Sequence, residues 1–127
     1  MTKSIMEKVA EAKRAVPDIA PAEADAMRGR DDVLIVDVRD PTEVAASGKV
    51  AGAVNVSRGM LEFKADPASP YHDEAFQPDK TVILYCASGG RAALAGQALK
   101  ELGYTNVRNL GAFKTWAEAG LPIDEDG

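Results

Sequence analysis

At 127 residues the chain has the length of one domain, long enough to bury a core without covalent staples. Its composition, 46% hydrophobic and 28% charged, is that of an ordinary globular protein, and a formal net charge of -5 argues against nucleic acid and anionic membrane surfaces as partners. One cysteine and one histidine exclude an intramolecular disulfide, a disulfide scaffold and a cysteine-based zinc cluster.

Ser4 to Val16 predicts an amphipathic helix, with Ile5, Val9, Ala12 and Val16 at helical spacing and Pro17 as its stop. Charged residues interrupt this segment, so it does not read as a secretory signal. Asp18-Ile19-Ala20 predicts a short strand, and Pro21 opens a short helix that ends near Gly29. Val33-Leu34-Ile35-Val36, extended by Val38, lacks polar alternation, which predicts a parallel strand buried on both faces. Asp40, Pro41 and Glu43 then supply a cap, a first-turn proline and an acidic first turn for a helix closed by Gly48. Ala53 to Val56 is a second short strand. Met60 to Lys80, with three prolines, reads as a long loop carrying short helical turns at most. Thr81 to Tyr85 is the other strong strand, Ala92 to Leu102 a helix, Asn106 to Leu110 a weak strand, and Phe113 to Ala119 a terminal helix. Strands alternating with helices predict an α/β fold whose parallel sheet carries helices on both faces. The organisation expected is an N-terminal helix over 1–16 and one domain over 17–127.

The sharpest chemical feature is TVILYCASGGRA. A buried strand runs into Cys86, the only thiol, at the sheet edge where open parallel sheets bind ligands. Ser88, Gly89 and Gly90 allow a tight curl whose N–H groups form an anion nest. A helix starting near Arg91 directs its positive end at the same place, and Arg91 adds a cation. These effects favour a thiolate, which is the nucleophilic form, beside a cradle for an oxyanion. Asp37 and Arg39 flank Val38 at a neighbouring strand end, and Arg58 follows another. All three are candidates for the pocket rim, with a scaffold ion pair the plainer reading of the first two and a solvated side chain an equal reading of Arg58. His72, the only imidazole, falls in a polar loop and reads as a surface residue. Phe113 and Trp116 read as core, and the acidic tail Asp124-Glu125-Asp126 as frayed.

From about Ile19 to Leu121 the chain resembles the rhodanese family of single-domain sulfurtransferases. Four stretches carry the resemblance: IVDVRDPTEV, GKVAGAVNV, VILYCASGGRA and LGAFKTWAEAGLPI. It implies a rhodanese-like fold with a parallel sheet of about five strands, and transfer of a sulfane sulfur through a persulfide on Cys86. Ala87, Ser88, Gly89, Gly90 and Arg91 match the family's persulfide cradle. Lys49 stands where the family has histidine, Ala51 where it has proline, and Leu110 replaces the first of two paired glycines. Ala87 replaces a basic residue found in several thiosulfate enzymes, which bears on the donor and leaves persulfide chemistry intact.

The expected reaction takes sulfur from a small anionic donor such as thiosulfate to cyanide, a thiol or a protein acceptor, without metal or cofactor. A free thiol and no export signal point to the cytoplasm. Two rivals stand beside this reading. One is a persulfide carrier or regulatory module that loads once and does not turn over. The other is a cysteine phosphatase or arsenate reductase, whose loop is longer than the four residues between Cys86 and Arg91 here.

Overall fold

The computed structural model describes residues 2–125. In chain order it contains α1 (Ile5–Ala15), α2 (Pro21–Met27), β1 (Val33–Asp37), α3 (Pro41–Ser47), β2 (Lys49–Val50) and β3 (Val54–Asn55). One 3-10 turn (Arg58–Met60) leads into α4 (Leu61–Ala65), followed by β4 (Thr81–Cys86), α5 (Gly90–Glu101), β5 (Val107–Ala112), α6 (Phe113–Glu118) and β6 (Ile123–Asp124). The main sheet is parallel, in the order β3-β1-β4-β5. It has four strands where the resemblance implied about five. The segment expected as a strand at Asp18-Ile19-Ala20 makes only a single parallel bridge, Asp18 to Asn109, because Pro17 before it and Pro21 after it cut the ladder short.

Side chains on each central strand alternate between two cores. Leu34, Val36, Val82, Leu84 and Cys86 face one core with Val16, Ala92, Ala95, Leu99 and Tyr104, under α1 and α5. Ile35, Ile83 and Tyr85 face the other with Ile19, Ala24, Val50, Phe113 and Trp116, under α2 and α6. Period two therefore assigns Cys86 to the α5 face and Tyr85 to the opposite one. The α5 helix buries small residues, Ala92, Ala93, Ala95 and Gly96, and so lies close to the sheet and to α1. At Gly96 a Cβ would sit 2.8 Å from a methyl of Val16, so this crossing requires glycine.

Two segments depart from expectation. Residues 60–80 contain α4 and are pinned from within: Phe76 is fully buried, Tyr104 donates its hydroxyl to the Ala65 carbonyl at 2.7 Å, and His72 Nε2 lies 2.8 Å from the Phe76 carbonyl. Burial pushes the Tyr104 hydroxyl up to about 12, and the charge of Asp66 adds to that shift. His72 is thus half-buried and braces this loop. The tail is also ordered through Glu125. β6 pairs antiparallel with β2, and Asp124 accepts hydrogen bonds from the Gly52 N–H at 2.9 Å and from Lys49 Nζ at 3.3 Å. These partners, the Gly52 N–H first, hold the Asp124 carboxyl below its usual range. Asp126 lies outside the described residues.

Candidate active site

Cys86 is the last residue of β4 and has no exposed surface, while Ala87 and Ser88 beyond it are exposed. Gly89 has φ +95 and ψ -13, a left-handed conformation that glycine adopts without the Cβ penalty. That turn points the Gly89 N–H back at the strand end, where it donates to Cys86 Sγ at 3.0 Å. α5 begins at once, with Ala93 N–H bonded to the Gly89 carbonyl. The N–H groups of Gly90, Arg91 and Ala92 precede the first intrahelical bond and have no partner within the helix. The structure therefore brings together a sulfur, one N–H already aimed at it, and the positive end of a 12-residue helix.

Arg91 is not a free cation. Its Nη1 and Nη2 donate to the two carboxylate oxygens of Glu43 at 2.8 and 2.9 Å. Glu43 belongs to the first turn of α3, where its Oε1 also accepts the Asp40 N–H at 3.4 Å. Arg91 draws the Glu43 carboxyl down to about 2, and Glu43 pushes the Arg91 guanidinium up. The sequence marks Glu43 as a helix opener; its function as the tie between α3 and the cysteine loop depends on how β1 and β4 lie side by side.

Asp37 and Arg39 do not line the rim. Asp37 is fully buried and Arg39 is 4% exposed. Arg39 donates through Nε and Nη2 to the Asp37 carboxylate, through Nη2 to the Gly48 carbonyl at 2.8 Å, and through Nη1 to Ser47 Oγ at 2.8 Å. Its guanidinium lies 4.5 Å from the Phe113 ring centroid and 5.7 Å from that of Tyr85. Burial alone would push the Arg39 guanidinium down; the hydrogen bonds and charge of Asp37 outweigh it and the net direction is up. The pair is a buried scaffold, because the side chain after Val38 turns back under the α3 end instead of outward. Tyr85 completes it by accepting the Val50 N–H at 2.9 Å, and burial pushes its hydroxyl upward. Arg58 is also absent from the cysteine loop. It binds Glu62 at 2.7 Å and lines a separate groove with Ile5, Lys8, Leu94 and Gln97.

One residue that sequence reading passed over touches the loop. Asn109 on β5 is 4% exposed, and its Nδ2 lies 3.3 Å from the Gly89 carbonyl. An amide in a strand otherwise reading as core, two residues before a glycine, was the available signal. Alongside the loop runs a cleft of about 390 Å³ whose lining includes Lys13, Asp18, Ser88, Gly89, Asn109 and Thr115. Among the described residues no group of three or more His, Cys, Asp or Glu side chains is placed to hold a metal, and no helix is long and apolar enough to cross a membrane.

A family model described as a rhodanese-like domain matches residues 20–119. The chain is 35% identical over 94 residues to a sulfurtransferase of Allochromatium vinosum, covering 73% of this chain and 79% of that protein. It is 34% identical over 97 residues to the human thiosulfate:glutathione sulfurtransferase, covering 66% and 78% of the two chains. Among solved structures, a Rhodopseudomonas palustris protein of unknown function, described as a possible tyrosine phosphatase, superposes with a TM-score of 0.89 at 41% identity. That match covers 98% of this chain and 96% of the other.

Proposed function

We propose that this chain, which belongs to the rhodanese-like family, moves a sulfane sulfur from a small anionic donor to a nucleophilic acceptor through a persulfide on Cys86. The observation that carries this reading is the 3.0 Å bond from the Gly89 N–H to Cys86 Sγ at the amino end of α5. A donor directed at this position meets a sulfur nucleophile and a positive helix end together. Sulfur-transfer relatives support the general class.

With thiosulfate as donor, the Cys86 thiolate attacks the outer sulfur. A new S–S bond forms, the bond to the sulfonate sulfur breaks, and sulfite leaves with that electron pair. Cys86 then carries a persulfide anion, stabilised by the loop N–H groups as an oxyanion hole stabilises a developing charge. A cyanide or thiolate acceptor attacks the terminal sulfur and the Cys86 thiolate departs, which completes a double displacement. Because Cys86 has no exposed surface, donor entry requires a local movement that uncovers its sulfur.

The phosphatase reading attached to the Rhodopseudomonas palustris structure is disfavoured here by Arg91. Only four residues separate it from Cys86, a shorter loop than a cysteine phosphatase uses to surround a tetrahedral phosphate, and both of its terminal nitrogens are engaged by Glu43.

The test is the intact mass of the protein after incubation with thiosulfate, for wild type and Cys86→Ser. A gain of one sulfur atom in wild type, absent in the variant and removed by cyanide, is the expected result. Repeated sulfite release with cyanide present distinguishes an enzyme from a carrier that loads once. No gain with either thiosulfate or glutathione persulfide, together with Cys86-dependent hydrolysis of an aryl phosphate, would overturn the proposal in favour of phosphatase chemistry.

A further inference from the structure

Asn109 makes two side-chain bonds at once. Its Oδ1 accepts the Gly111 N–H at 2.8 Å, and that bond orients the amide so that Nδ2 faces the Gly89 carbonyl at 3.3 Å. Both ends of its backbone are tied as well. Its N–H donates to the Pro17 carbonyl at 2.8 Å, and its carbonyl accepts the Ile19 N–H at 3.0 Å. The pairing of β4 with β5 shifts register beside it, Leu84 facing Asn109 and Tyr85 facing Gly111, so Leu110 is an extra residue in β5. The bulge and the Gly111 turn (φ +90) place Asn109 under the cysteine loop, and Gly89 lies against the Gly111 backbone.

We infer that Asn109 is a positioning residue for the cysteine loop: by bonding the Gly89 carbonyl it helps fix the φ and ψ of Gly89, and through them the preceding peptide, whose N–H meets the sulfur of Cys86. Glycine meets no Cβ penalty at φ near +95, so its conformation here rests on the bonds at its two ends, the N–H to Cys86 Sγ on one side and the carbonyl with Asn109 Nδ2 and Ala93 N–H on the other. Without Asn109 the carbonyl keeps only the Ala93 N–H, the turn is held less tightly and the Gly89 N–H moves off the sulfur, which weakens a hydrogen bond to the charged form of Cys86. Asn109 touches no reacting atom; it acts through Gly89.

This inference uses the proposed role of Cys86 only to say why the geometry matters, and its test requires no sulfur transfer. The thiolate absorbance of the protein is titrated against pH, taken as the difference from the corresponding Cys86→Ser background, in wild type, Asn109→Ser, Asn109→Ala and Asn55→Ala. Asn109→Ser retains a hydroxyl able to accept the Gly111 N–H and gives up the arm to Gly89; Asn109→Ala gives up both. Asn55, whose Nδ2 donates to the Asp37 and Arg39 carbonyls, reports general loss of stability. The charged groups around the loop, Arg91 with Glu43 and, across the cleft, Lys13 and Asp18, are present in every variant.

Both Asn109 variants are expected to move the thiolate midpoint upward by about 1 pH unit, the size of one hydrogen bond to a charged group. Asn55→Ala should lower the unfolding temperature and leave the midpoint in place. An unmoved midpoint in Asn109→Ser, or an equal shift in Asn55→Ala, overturns the inference. Where Asn109→Ala does not fold, Asn109→Ser alone decides. A shifted midpoint in a protein that never gains sulfur would leave the positioning role standing and remove the sulfurtransferase reading.

Discussion

Two arginine–carboxylate pairs stand near the carboxyl ends of neighbouring strands, and they differ in kind. Arg39 and Asp37, two residues apart at the end of β1, have side chains 4% and 0% exposed. Arg91 and Glu43, brought together from α5 and α3, are 36% and 35% exposed. The first pair is enclosed by the Gly48 carbonyl, Ser47 and the rings of Phe113 and Tyr85. In such a setting each charge depends on the other, because water no longer compensates a missing partner. The second pair keeps much of its hydration, so its stabilisation is small and its consequence local. It joins α3 to the cysteine loop and reduces the positive charge the loop offers a donor. Burial, more than residue type, separates scaffold from site.

Three substitutions probe that contrast, and the largest effect is expected at Arg39. Arg39→Ala leaves Asp37 as an uncompensated buried carboxylate and should lower stability by about 3–5 kcal/mol in urea unfolding. Where the variant is still folded, it should take up sulfur from thiosulfate as wild type does, since no bond in the cysteine loop involves Arg39. A loss smaller than that of the Glu43 variant below would dissolve the distinction between the pairs.

Gly89→Ala follows. The left-handed turn at φ +95 imposes a strain of about 1–2 kcal/mol on any residue with a Cβ. Denaturation should register that amount. Sulfur loading on Cys86 should fall far more steeply than stability, because relaxing the turn moves the N–H off the sulfur. Proportionate losses would place Gly89 with the scaffold.

The smallest change in stability belongs to Glu43→Gln, less than about 1 kcal/mol for so solvated a pair. Its pH dependence has a definite sign. The folded-state value of Glu43 is lowered from 4.5 to about 2, so the contribution is complete above the ordinary carboxylate range and disappears as pH falls from about 4.5 to about 2. Wild type and variant unfolding curves should therefore differ at neutral pH and converge in acid. The same substitution frees Arg91, and the KM for thiosulfate should fall by about 2- to 5-fold at low salt, an advantage that added salt removes. An unchanged KM would mean that Arg91 serves the loop only as a tether.

Much of the architecture was legible along the chain because it rests on local rules. The apolar runs at Val33 and Thr81 predicted the two central strands, Ser4 and Asp40 marked helix starts, and Gly120 with φ +73 marks the end of the last helix. The loop from Cys86 to Arg91 was legible for the same reason: a strand end, two glycines and a helix start are sequential features. The antiparallel pairing of β2 with β6 was not, since two-residue strands carry no periodicity and their partners are 73 positions apart in the Val50–Ile123 and 75 in the Lys49–Asp124 register. Phe76 was hidden in a segment whose prolines and polar residues read as open loop.

The sequence by itself determined what is contiguous: alternating elements, a buried thiol at a strand end, and the glycines that let the next turn curl. Tertiary structure decided every relation between residues distant along the chain. Arg91 meets Glu43 across 48 positions and Asn109 reaches Gly89 across 20. Those distances depend on sheet order, on the register shift in β5, and on the closeness of helices that small residues permit. The physical reason is that a charge or an amide acquires its role from its surroundings, and only the packed chain supplies them.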